Sequence, residues 1–160
     1  AGSFTASNKV YDRTTAAEIA SNSLTLTGLI SGDTVSINTA TAAANFADRN
    51  VGTAKVVALS NASLTGANAA NYSITLAGAP TATANITPKE LTIAGSFTAD
   101  NKVYDGNTTA IIATGSLTLT GLISGDTVSI NTSSTMATFG DRNVGTAKTV
   151  TLTAAQITGA

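Results

Sequence analysis

Three aspartates recur at one fixed interval: Asp12 with Asp105, Asp33 with Asp126, and Asp48 with Asp141. Carboxylates in loops can bind calcium, which takes about six to eight oxygen ligands. The spacing here does not suit that chemistry. No D-x-D-x-D run gathers oxygens on one loop. Asp33 follows Gly32 in a plain turn, and Asp48 precedes Arg49, a partner or turn cap. We read all three positions as structural, with calcium at inter-domain joints as the competing reading. Paired carboxylates could also cleave glycosides. Here the acids sit in turns, no aromatic-rich cleft is evident, and the site would have to occur twice. Lys9 and Lys55, among many asparagines, raise the idea of a Lys–Asn isopeptide bond. That bond needs a buried acid beside the pair. Glu18 becomes Ile111 in the second copy and no Glu follows Glu90, so a bond common to both copies would have to use Asp.

The remaining side-chain chemistry is sparse. The chain has no His, Cys or Trp. A Ser-His-Asp triad, a Cys nucleophile, a Cys/His zinc site and an imidazole acid–base are all excluded. We therefore assign no catalytic, cofactor-binding or metal residues, expect no cofactor, and expect the protein not to be an enzyme. Asn61, Asn71, Asn85, Asn107 and Asn131 each begin an Asn-x-Ser/Thr triplet, a glycosylation signal that chance supplies readily in so Asn-, Ser- and Thr-rich a chain. The Thr ladders could face ice or polysaccharide, although Thr is also simply a good outward strand residue.

Ala, Thr, Ser, Asn and Gly make up 101 of the 160 residues, charged residues 11%, and the net charge is -1. Such a chain has no electrostatic footprint for nucleic acid, and its seven Phe and Tyr are too scattered for a base-stacking platform. No apolar run approaches the length of about 18 residues that a membrane span requires. The chain starts inside a repeat, so processing signals are expected to have been removed or to lie outside it. Low charge with many β-branched residues argues against disorder, and the lack of Cys means that disulfides do not stabilise the fold.

What positions the acids is a repeat. Residues 1–67 align with residues 94–160 at an offset of 93 without a gap, and 48 of 67 positions are identical. Leu24 to Thr39 returns unchanged at Leu117 to Thr132, and Asp48 to Lys55 at Asp141 to Lys148. Copies this similar imply duplication within a longer array. Residues 68–93 have no counterpart after Ala160, so we expect the second copy to lack its last strands. The joint is Thr87-Pro88-Lys89-Glu90, because proline has no N–H and biases its neighbour to extended geometry. The expected domains are 1–88 and 89–160.

The hydropathic period is two. Leu24 and Leu26, Val35 and Ile37, Tyr72, Ile74 and Leu76, and Ala82, Ala84 and Ile86 each alternate with polar residues, as half-buried strands do. The repeat tests which face is inside. Val56 becomes Thr149 and Ala58 becomes Thr151, while Val57/Val150 and Leu59/Leu152 persist. Change falls on one parity, which marks the outer face. The expected first core is Phe4, Tyr11, Leu24, Leu26, Val35, Ile37, Phe46, Val57, Leu59, Tyr72 and Ile74. The stretch 16–20 and its copy 109–113 are both read as strand. About seven short strands in some 90 residues predict an all-β fold of tandem immunoglobulin-like antiparallel β-sandwich repeats. A β-solenoid is the alternative, but no short coil period is present.

At Asn8-Lys9-Val10-Tyr11-Asp12-Arg13, and more clearly at Asn101 to Gly106, the sequence resembles the YDG repeat family. Leu29 to Val35, the Asp48–Lys55 block, Ala70 to Ile74 and Ile86 to Lys89 fit as well, so the resemblance covers nearly the whole chain. Arg13 stands where the name-giving motif has Gly. Such modules, with related mostly-β glycine-rich repeats, occur in large secreted bacterial proteins, including filamentous-haemagglutinin-like adhesins.

The resemblance implies a structural role outside the cell, at a bacterial surface or in a secreted matrix. We expect a stalk or filament module whose partners are neighbouring repeats or identical subunits, with strand donation between subunits as one mode of assembly and a proline-containing joint that limits bending. Surface polysaccharide is a further candidate partner; nucleic acid and membrane insertion are not expected. The alternative function is a carbohydrate- or ice-binding sandwich.

Overall fold

The structure, a computed structural model, describes residues 2–159. These fall into two compact units, one running to Lys89 and the other from Glu90. Both are all-β; the only helical element among the described residues is a 3-10 turn at Ala69–Asn71.

The first unit has seven strands: β1 (Phe4–Ala6), β2 (Lys9–Val10), β3 (Ala16–Ala17), β4 (Ile19–Asn22), β5 (Ser36–Phe46), β6 (Gly52–Thr65) and β7 (Thr81–Thr87). Five form one sheet in the order β2-β7-β6-β5-β3, and β1 pairs with β4 in a second. The chain changes sheets twice. Residues 4–10 leave β4 to join β7, and residues 16–22 leave β5 to join β1. Switches of this kind make the corners of a sandwich. The β2–β7 ladder is parallel and every other ladder is antiparallel. The strands β5 and β6 are long for a small domain, and their register shifts between Asn38 and Ala44. A bulge there bends the hairpin, and the Asn38 side chain closes it by accepting from Ala40 N–H at 3.2 Å.

The core lies between the layers. Phe4 comes from the smaller sheet, and Ala44, Phe46, Val57, Ala84 and Ile86 from the larger. Val57 is 0% exposed and Ile86 1%; burying each contributes about 1.5–3 kcal/mol. Change between the copies at residues 56–59 falls on the outer face. Val56 and Ala58 face solvent, whereas Val57 is buried and Leu59 half-buried. Of the eleven expected core residues, Phe4, Phe46 and Val57 are buried and Tyr11, Leu24 and Leu59 are half-buried and packed against them, whereas Leu26, Val35, Ile37, Tyr72 and Ile74 are half-buried outside that cluster. Ala44, Ala84 and Ile86 complete the core. The alanines are the small partners that let close-packed layers interdigitate with the large side chains.

Two expected strands are absent. Residues 24–27 and 72–76 keep their alternation of half-buried and exposed side chains but join no ladder. Leu24, Leu26, Ile37, Leu59, Ile74 and Leu76 instead line a cavity of about 210 Å³. The second unit shows the first of these sequences paired. There the same Leu-Thr-Leu-Thr sequence forms β12 (Thr118–Thr120) against β8 (Thr92–Ala94). Alternation orients side chains, but a strand also needs a neighbour for its N–H and C=O groups. Gly66 ends β6 with φ +123, and a Cβ there would collide with the Thr34 carbonyl; Gly159 repeats this at Thr127. Both positions require glycine.

The second unit contains β8, β9 (Phe97–Ala99), β10 (Thr109–Ala110), β11 (Ile112–Gly115), β12, β13 (Val128–Phe139) and β14 (Val150–Gly159). They pair as β10-β13-β14, β11-β9 and β12-β8. The stretches 16–20 and 109–113 are extended as expected, but each is broken at its middle residue, Glu18 or Ile111, into two strands that join different sheets. The two units thus repeat one all-β plan, and among the described residues no ladder closes a barrel.

Candidate functional site

The recurring aspartates act as loop clasps. Lys9 leaves β2 and reaches into the loop that follows. Its ammonium pairs with Asp12 at 2.7 Å and donates to the Thr14 hydroxyl at 2.9 Å and to the carbonyls of Thr14 and Ala16 at 3.2 and 3.1 Å. It also lies 6.0 Å from the centre of the Phe46 ring. Asp12 accepts the Thr14 N–H at 2.8 Å. The Lys9 ammonium and the Thr14 donors hold the Asp12 carboxyl down at about 2. In the second unit, Lys102 pairs with Asp105 at 2.7 Å and takes Asn107 and Thr109 in place of Thr14 and Ala16. The substitution Thr14/Asn107 therefore keeps the clasp.

The block Asp48 to Lys55 makes a second clasp. Asp48 accepts from Asn50 N–H at 2.8 Å and from Lys55 at 2.6 Å. Asp141 does the same with Asn143 N–H and Lys148. Lys55 and Lys148 lower the carboxyl pKa of Asp48 and Asp141, respectively. Lys9 and Lys55 thus reach Asp12 and Asp48 rather than an Asn side chain, whereas Lys102 reaches the Asn107 side-chain oxygen at 2.8 Å as well as Asp105. Asp33 has a different role. Tyr72 donates to it at 2.5 Å and accepts from Ile30 N–H at 3.1 Å, tying residues 30–33 to the segment after the 3-10 turn. Among the described residues no three acidic side chains gather.

Several asparagines are also engaged within the chain. Asn85 accepts from Ala54 N–H, which has a left-handed φ of 48, at 2.8 Å. Asn61 donates to the Thr41 carbonyl, Asn107 donates to Asp105, and Asn131 accepts from Ser133 N–H. Sequence reading assigned none of these staples. Their only signal was the density of Asn in turns.

One concave feature stands apart. In the first unit β7 lies between β2 and β6, and its Ala84 and Ile86 close the core. No strand takes that place among the described residues of the second unit. The result is a groove of about 870 Å³, lined by Phe97, Tyr104, Phe139, Val144 and Val150 among others. The matching residues of the first unit are more covered. Phe4 and Val57 are buried, whereas Phe97 and Val150 are half-buried. Val10 is 50% exposed and Val103 88%; Val51 is 49% and Val144 86%. Residues 102–103 and 145–148, identical in sequence to β2 and the start of β6, form no ladder.

The family model described as the YDG domain matches residues 2–83 and again residues 87–160. No curated protein and no solved structure matches the chain.

Proposed function

Because the chain belongs to the YDG domain family over both of its halves, we propose that it is a non-catalytic structural repeat module of an extracellular bacterial adhesin stalk or filament. The observation that carries this reading is the use made of the repeated acids. In both units the aspartates of the motif hold lysines of their own loops, so what the duplication preserves is scaffold. The exposed hydroxyls support the same reading. Thr5 bonds Ser21 at 2.7 Å, Thr92 bonds Thr120 at 2.6 Å and Thr98 bonds Thr114 at 2.7 Å, each across a strand pair. Such pairs stabilise sheets. Hydroxyls used in this way favour a structural face over one shaped for polysaccharide or ice. As a stalk unit, each module is built on ladders of its own, and length comes from repetition.

Immunogold electron microscopy of intact source cells, with antibodies raised against this chain, tests the proposal. Label along threads or projections outside the envelope is expected. Label confined to the cell interior overturns it.

A further inference from the structure

We propose that the groove of the second unit is a strand-acceptor site. Its occupant is an extended segment with the Ala-x-Ala-Asn-Ile pattern of residues 82–86, supplied from outside these 160 residues. The inference rests on the module reading above and adds the partner of this one site.

The first unit displays the filled form of the site. There β7 runs antiparallel to β6, with Lys55, Val56, Val57 and Ala58 opposite Ala84, Thr83, Ala82 and Thr81. It runs parallel to β2, with Lys9 opposite Ile86. Its inward residues are Ala82, Ala84 and Ile86. Three polar contacts lock the register. Asn8 accepts from Asn85 N–H at 2.7 Å, Asn85 accepts from Ala54 N–H at 2.8 Å, and the Thr87 carbonyl accepts from Tyr11 N–H at 2.9 Å.

The groups that lock the register are duplicated. Asn101, Lys102, Tyr104, Ala147, Lys148 and Val150 stand where Asn8, Lys9, Tyr11, Ala54, Lys55 and Val57 stand in the first unit. Ala147 keeps the left-handed backbone of Ala54, with φ 51 against 48. Among the described residues nothing replaces Asn85 at Ala147, Asn85 N–H at Asn101 or the Thr87 carbonyl at Tyr104. The open edge therefore offers backbone donors and acceptors beside an apolar trough, as strand addition requires. A bulky inward residue fits only at the Ile position, because small residues face the core at the other two.

The β7 strand of a second copy is a poor donor. It is hydrogen-bonded on both sides, and Ile86 is 1% exposed in its own core. Withdrawing it would dismantle the first unit.

The test uses the whole 160-residue chain and a fluorescein-labelled peptide with the sequence of residues 80–88. Saturable binding by anisotropy is expected, with hydrogen-exchange protection gained at residues 102–103 and 148–151 and none gained in the first unit. A peptide with Asp at the Ile86 position should bind about tenfold more weakly or worse. A peptide of the same composition with the inward and outward residues exchanged should not bind, because a parity slip turns the apolar set to solvent. No saturable binding, equal binding of the exchanged peptide, or protection in the first unit overturns the proposal. So does a dimer that persists with excess peptide in place of a 15.8 kDa monomer, since a second copy would then fill the groove. None of these results bears on where the immunogold label falls, so the site and the stalk reading fail separately.

Discussion

Lys9 and Ile86 are register partners across a parallel ladder that joins strands 77 residues apart in sequence. The ladder wedges β7 between the loop of the Lys9–Asp12 clasp and the block that begins β6. Ile86 also faces Gly52 on the β6 side. One side chain thus seals the first core at the point where two repeated motifs meet.

Truncating that side chain should be costly. Ile86→Ala is expected to destabilise the first unit by about 2–5 kcal/mol, the usual range for a buried aliphatic residue cut to alanine. Chemical denaturation followed by hydrogen exchange on each unit reads this directly. Protection should fall in residues 2–89 and hold in residues 90–159. A loss below about 1 kcal/mol would mean that Ile86 does not close the core.

Acid should weaken the clasps. Asp12 has its folded pKa depressed from 3.8 to about 2, so its stabilising effect is complete above the unfolded value and is lost as pH falls from about 4 toward about 2. Asp48, Asp105 and Asp141 are depressed as well, each first by its lysine. Stability measured by denaturant midpoint should decline through that window. Lys9→Met should bring the Asp12 titration, followed by carboxyl NMR, back toward its ordinary value. An unchanged titration would show that Lys9 does not hold the carboxylate.

Alkali should act on a different contact. Asp33 raises the Tyr72 hydroxyl above its ordinary 10.0, because the hydroxyl donates to a carboxylate. A raised folded pKa contributes stability below the unfolded pKa, and that stability disappears as pH rises through the folded value. Tyr72→Phe should remove this dependence. Tyrosinate absorbance of the parent chain should contain a late-titrating component from Tyr72 that is missing from the variant.

Arg13 sits at φ 67 and its counterpart Gly106 at φ 78, so the same left-handed turn is made by an arginine in one unit and a glycine in the other. A non-glycine residue there costs about 1–2 kcal/mol. Glycine costs about 0.5–1 kcal/mol through the unfolded chain. Arg13→Gly should then raise the stability of the first unit by about 0.5–1 kcal/mol, and Gly106→Arg should lower that of the second. Thermal unfolding of both variants decides the matter, and a destabilised Arg13→Gly would refute the strain argument.

Much of this protein could be read directly from its residues. The period of two in residues 35–38 and 82–86, the parity of change between residues 55–59 and 148–152, and the offset of 93 led to all-β repeats with a fixed inner face. The lysine clasps were less legible. Asp12 and Asp48 stand out as recurrent acids, but sequence matches Lys9 and Lys55 as readily to Asn, because it does not say which oxygen a long side chain will reach. The core alanines, Ala44 and Ala84, are not legible beside larger residues, since packing distance between layers is not written in a single strand.

Residue alternation determines which way side chains point on a pleated backbone, and that property is local. Pairing is not local. The segments Lys9–Val10 and Gly52–Lys55 are strands in the first unit, whereas their identical copies at 102–103 and 145–148 are not; Leu-Thr-Leu-Thr is a strand only at its second occurrence. A ladder requires a second backbone to satisfy its N–H and C=O groups. Only the tertiary structure decides whether that backbone arrives, and at the groove of the second unit none has arrived among the described residues.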